Sequence, residues 1–390
     1  MKILYTDILP LKTETDHTAV VDCFNQYAQS NNSIEIAVGY VSKASLEELD
    51  ALTYEYNISK VILIIGMYYI EGMPESIYHT ARKINEKWVN ENHGEIRLIL
   101  PFKYHGKVYA FYSNDQVKAA ILGSANLSIL KLDASNRRQY ELAIATEDPF
   151  ECKELAFHIR NLQKDVCSKR IDKIVNIKLI REVNTSLTGI DLVQQITPSQ
   201  TALYKNYLTD ISFTLPIKVP SFSERHMDDG KHFTRSNINV CYATPRSSRK
   251  SRDWYETQLT VSKKFTKQKG YPEKNIPFFI VTDDGYMFKA HTTSDGNKQL
   301  SAVGDELIMG RWIKGRLVAA GLVSYVNDTL KDTDRKGIIT KEMLYAYGCN
   351  TLILTKTSQK IEDNERNVFD VWMLSFEAVK QNGETDYALS

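Results

Sequence analysis

His105-Gly106-Lys107-Val108-Tyr109-Ala110-Phe111-Tyr112 and Val117-Lys118-Ala119-Ala120-Ile121-Leu122-Gly123 read as two strands, joined through Ser113-Asn114-Asp115-Gln116. Asn and Asp tolerate the left-handed backbone of a tight turn, so the join is a natural hairpin. The second strand runs directly into Ser124-Ala125-Asn126. Side chains alternate along a strand, which puts His105 and Lys107 on one face and Ser124 and Asn126 on one face. Hairpin pairing then gathers four polar groups at the strand ends, among residues that would otherwise fill a core.

Around this hairpin the first ~165 residues alternate between strand and helix patterns. Strands are expected at Ser33–Tyr40, Lys60–Gly66, Glu95–Leu100 and Tyr140–Thr146. Helices are expected from Ser42 to Leu52, from Pro74 to Asn92, and from Asp148 to Val166, where Asp148-Pro149-Phe150-Glu151 supplies a cap, a first-turn proline and an acid. From 169 to 205 the pattern is mixed and polar, as in a connector. Short strands and turns follow: Asn237–Ala243, Gln258–Ser262, Phe278–Thr282, Tyr286–His291, Thr351–Lys356 and Val371–Phe376, with helices near Asp305–Ala320 and Thr340–Tyr347. The parse is an α/β domain over 1–168, a connector over 169–205 and a β-rich domain over 206–390.

Composition narrows the class. The chain has 390 residues, 43% hydrophobic and 25% charged, as in an ordinary globular protein of two domains. No apolar run reaches the ~18 residues of a membrane span, and Met1 to Asp7 lacks a signal-peptide layout, so the expected location is cytoplasmic. Five scattered cysteines without a Cys-x-x-Cys spacing argue against a zinc knuckle and a disulfide framework. Net charge is only +1, yet Arg225 to Lys274 holds twelve Lys and Arg against five acids. One basic segment in a neutral chain suggests a local phosphate-binding surface.

The clustered residue types suit attack on a phosphodiester. An imidazole can act as nucleophile or as general acid. A lysine, an amide and a hydroxyl can hold the non-bridging oxygens as charge builds, and a carboxylate such as Glu141 can orient the imidazole. This set calls for no metal or other cofactor. Weaker patterns fail: Gly310-x4-Gly315 is followed by Arg316-Leu317, so it is no nucleotide-binding loop, and Glu151-x-Lys153 sits in a helix start.

The H-x-K and G-S-x-N pair resembles the signature of the phospholipase-D superfamily, which implies an α/β nuclease-type domain with a central mixed sheet flanked by helices. By that resemblance His105 is the nucleophile, Lys107, Ser124 and Asn126 bind phosphate, and Glu141 supports the histidine. The aspartate usual in the motif is replaced by Tyr112, a departure typical of the branch that includes the BfiI and NgoFVII restriction enzymes. The superfamily site uses two facing motifs; with one copy here, the resemblance implies a twofold homodimer through the nuclease domain.

The C-terminal half, about 206–380, resembles the B3-like pseudobarrel DNA-binding domain of the same enzymes. Phe278–Gly285, Met309–Leu317 and Leu344–Gly348 carry that likeness. In that fold two arms embrace the major groove. Arg225, Arg246, Arg249, Lys250, Arg252, Trp254 and Tyr255 are expected at the first arm, and Lys289 and Lys298 at the second. Trp254 can stack on a base or pack in a core. The implied function is a Type II restriction endonuclease, independent of metal, that acts on double-stranded DNA at a short, often G·C-rich site, paired with a protective methyltransferase. Alternatives are a DNA-binding defence subunit that works with an ATPase partner or not as a catalyst at all, and a phosphatidyltransferase; the missing motif aspartate and the lack of a membrane segment disfavour the last.

Overall fold

The computed structural model describes residues 1–6, 18–131, 139–226, 236–244, 251–363 and 365–377. The chain divides into two compact units, Met1–Glu182 and Val183–Ser390. The stretch 169–205, expected as a connector, is shared between them: Ser168–Arg170 adds an edge strand to the first unit, while Pro198–Lys205 forms a capped helix in the second.

The first unit is built on a nine-stranded mixed sheet. Its strand order is Ser168–Arg170, Gly94–Ile99, Lys60–Ile65, Ser33–Val38, Val108–Ser113, Gln116–Gly123, Leu142–Thr146, Lys2–Tyr5 and Thr18–Ala19. The three strands from Ser33–Val38 through Gly94–Ile99 are parallel, and the hairpin pairs antiparallel beside them. Asn114 and Asp115 both take positive φ, of 53° and 62°, as a primed hairpin turn requires. Alternation divides the core between the two sheet faces. Tyr109, Phe111, Ala119 and Ile121 face the cluster that includes Phe24, Leu46 and Trp88, whereas Val108, Ala110 and Tyr112 face Ala156, Ile159 and Leu162 of the helix Pro149–Gln163.

Helix starts follow their caps. Ser42 accepts from Ser45 N ahead of Lys43–Glu55, and Asp148 accepts from Phe150 N and Glu151 N ahead of Pro149–Gln163. The Glu151 carboxylate does not close a reciprocal box; it takes the hydroxyl of Thr146 instead.

The second unit packs a curled eight-stranded sheet and the helix Ile308–Ala319 into one hydrophobic core. Its main path is Leu208–Pro216, Thr351–Glu362, Val368–Ser375, Phe278–Thr282, Tyr286–Thr293, Gln299–Ala302 and Leu259–Thr260. The helix is buried almost all round, which explains the glycines of its motif. A Cβ at Gly310 would lie 1.7 Å from Tyr255 O, and one at Gly315 would lie 2.1 Å from Ser186 Oγ.

One expected strand is not formed. Asn237–Ala243 holds a short 3-10 turn, Val240–Tyr242. Its buried asparagines take over the work of a ladder: Asn237 bonds Lys218 N and Pro216 O, and Asn239 bonds both Ile339 N and Ile339 O. In this unit Gln194–Gln195, Leu208–Pro216 and Gln299–Ala302 are strands where none was expected.

Candidate active site and basic surface

The motif residues lie at one end of the hairpin, in the segments that lead into and out of it rather than inside it. Strand structure begins at Val108, so His105 and Lys107 sit on the approach, and Ser124 and Asn126 on the exit. They do not share one exposure: His105 and Ser124 are exposed, Asn126 is half-buried and Lys107 is buried.

Glycines permit the close approaches. A Cβ at Gly123 would come within 2.5 Å of Ala143 Cα, and one at Gly106 within 2.4 Å of Tyr104 Oη. The hairpin ladder extends one step beyond the strands, since Gly123 N donates to Lys107 O at 3.2 Å. Ser124 is stitched to the neighbouring strand twice: its N–H donates to Leu142 O at 3.0 Å, and its hydroxyl accepts from Leu142 N at 3.1 Å.

Each side chain has a local tether. Lys107 Nζ donates to His105 O at 2.6 Å, which closes the turn carrying the histidine and leaves two of the three ammonium protons for another acceptor. Burial lowers the Lys107 pKa from its ordinary value, and the charge of Glu141 opposes that fall. Asn126 Oδ1 accepts from Tyr40 N at 3.1 Å, which leaves its amide N–H groups to donate elsewhere. The ring of the same Tyr40 meets the His105 ring edge-on, centroids 6.0 Å apart. The Glu141 carboxylate, expected on the histidine, accepts the hydroxyl of Ser124, and no bond joins it to His105 among the described residues.

Tyr112 stands where the motif aspartate would be. It lies at the far end of Val108–Ser113, its hydroxyl donates to Glu35 on the adjacent strand, and Arg160 approaches Glu35 at 3.8 Å. Sequence reasoning missed Tyr40, Glu71 and Lys103, which surround His105; they stand apart in the chain and form no spaced motif.

In the second unit the candidate DNA-reading residues separate. Arg246, Arg249 and Lys250 lie outside the described residues. Trp254 and Tyr255, expected at the first arm with a core position as the alternative for Trp254, are core residues in this structure, at 1% and 9% exposure. Trp254 Nε1 donates to Gly337 O at 2.9 Å and Tyr255 stacks on Tyr325, so neither ring has a face to offer a base. Arg252 is paired with Glu256 at 2.6 Å, and Lys289 with Asp363 at 3.0 Å. Half-buried Arg225 lies over Phe222 and donates to His226. Lys298 is exposed and lines an open groove with Lys263, Thr266, Lys267 and the turn Asp295–Asn297. Lys263 and Lys267 were counted in the basic segment but not singled out; the fold brings them beside Lys298.

Two family models match the chain. One, the NgoFVII restriction endonuclease N-terminal PLD domain, matches residues 18–176; the other, the NgoFVII C-terminal B3-like DNA-binding domain, matches residues 203–347. The chain belongs to the NgoFVII restriction endonuclease family. Both halves of the NgoFVII architecture are present in order: a phospholipase-D-like unit that carries His105 and a B3-like unit that carries the basic groove. No curated protein matches the chain. Among the described residues, no helix is long and apolar enough to cross a membrane.

Proposed function

We propose that this protein is a Type II restriction endonuclease that cuts double-stranded DNA through a covalent phosphohistidine, without a metal. The observation that carries the reading is the tethered set at the hairpin end. His105 is exposed, Asn126 is held through its oxygen so that its amide protons are left to donate, and Lys107 keeps ammonium protons free of its turn.

In the proposed reaction His105 attacks phosphorus, the bond to the leaving oxygen breaks, and water then hydrolyses the phosphohistidine. Lys107 and Asn126 stabilise the charge on the non-bridging oxygens, the task a metal serves elsewhere, and Ser124 joins them when its hydroxyl proton, given to Glu141 in this structure, turns to the phosphate. Glu141 orients Ser124, and its support of the histidine is indirect. The leaving oxygen needs a proton and the water needs a base, and one imidazole cannot be nucleophile and acid in the same step. A second copy of the chain in a twofold dimer supplies the other His105. The B3-like unit holds the recognised site, with the groove at Lys263, Lys267 and Lys298 on the phosphates. A companion methyltransferase would protect host DNA, and short G·C-rich sites are the expected targets.

Plasmid cleavage by wild type and His105→Ala, each with magnesium and with excess EDTA, tests this reading. Discrete fragments from wild type alone, in both buffers, are expected. Cutting that requires magnesium would overturn the phosphohistidine mechanism. Absence of cutting in either buffer would favour the partner-dependent DNA-binding subunit.

A further inference from the structure

Tyr40 is where the two halves of the motif meet. Its backbone N–H fixes Asn126 Oδ1 at 3.1 Å, and its ring stands against that of His105 at 78°. Its hydroxyl donates to Glu71 Oε2 at 2.6 Å, and Lys103 Nζ holds the other oxygen of Glu71 at 3.0 Å. Behind it, Tyr68 packs edge-on with centroids 5.4 Å apart, and its own hydroxyl is tied to Val41 O at 2.6 Å. The preceding residue leaves no slack: a Cβ on Gly39 would lie 3.3 Å from His105 Cδ2.

We propose that Tyr40, anchored by Glu71 and Lys103, is a positioning residue that sets the His105 ring and the Asn126 amide against the same phosphodiester. The proposal rests on the nuclease reading of this site and adds to it a brace from outside the motif.

His105 is exposed and precedes the strand, so no ladder fixes its ring. Glu141, the carboxylate expected to do so, is occupied by Ser124. Tyr40 is the residue that contacts both the imidazole and the amide, and three partners hold it: Glu71 at the hydroxyl, Tyr68 at the ring and Asn126 at the backbone. A catalytic group is held accurately when its neighbours are themselves locked by packing and hydrogen bonds. Glu71 suits the anchor, because its bonds from Tyr40 and Lys103 keep its carboxyl below the usual range and so ionised.

Full-length wild type, Tyr40→Ala, Tyr40→Phe and His105→Ala, compared for kcat and KM on one DNA fragment, test the proposal, with thermal melting and DNA affinity measured alongside. Misplacing a reacting group by about 1 Å costs on the order of 10²-fold, so Tyr40→Ala should lose about that much in kcat while KM and melting stay as in wild type. Both variants keep the backbone N–H that holds Asn126, but Tyr40→Phe also keeps the ring, and should recover to within about tenfold of wild type. Wild-type kcat in Tyr40→Ala overturns the proposal. So does a loss that tracks a fallen melting temperature and is not rescued by phenylalanine, since that is a structural role. Wild type that cuts no better than His105→Ala overturns the nuclease reading itself, and the brace falls with it.

Discussion

The hairpin end of the first unit and the basic surface of the second both collect polar side chains, yet they treat them differently. Around His105 two tethers are backbone groups, which leave the held side chain its remaining donors: Tyr40 N holds the oxygen of Asn126, and His105 O takes one proton of Lys107. On the second unit the tethers are acids, which consume the charge they hold, as Glu256 does with Arg252 and Asp363 with Lys289. A backbone tether orients a group for a ligand, whereas an ion pair competes with the ligand for it. A count of basic residues therefore overstates the charge a surface has free.

The largest effect should separate the two regions completely. His105→Ala is expected to lower cleavage by about 10⁴-fold or more while DNA affinity by gel shift stays at the wild-type level. A matching fall in affinity would break the division of labour between the units.

Next in size is a prediction about stability in the second unit, where one ion pair is truly buried. Arg316 meets Asp283 with side-chain exposures of 3% and 1%, and Asp283 also accepts from Phe376 N at 2.9 Å. Asp283→Ala strands the guanidinium and should cost about 3–5 kcal/mol, read by urea unfolding. A cost below about 1 kcal/mol, the scale of an exposed pair, would show that the arginine finds water there.

The smallest effect sharpens the distinction between a free and a consumed lysine. Lys298→Ala should reduce the slope of log affinity against log salt by about 1, as for one lost phosphate contact, and Lys289→Ala should leave that slope unchanged. Equal slopes for the two variants would mean that Asp363 releases Lys289 to the DNA.

Much of the first unit could be read in advance, because its signals are local. The hairpin turn, the caps at Ser42 and Asp148, and the spacing of His105, Lys107, Ser124 and Asn126 each depend on residues a few positions apart. The second unit was less open to such reading. Asn237 and Asn239 make their bonds to residues up to 100 positions away, and those bonds turned an apparent strand into a 3-10 turn.

The sequence by itself determined the two-part plan, the family and the four motif residues, since short-range spacing encodes them and a hairpin needs no distant partner to form. Only the tertiary structure decided that Tyr40, Glu71 and Lys103 surround His105, that Glu141 serves Ser124, that Trp254 and Tyr255 belong to the core, and which lysines keep a free charge. The physical reason is the same in each case. Whether a polar or aromatic side chain is available depends on what the fold packs against it, and those partners come from strands and turns that the chain brings together only on folding.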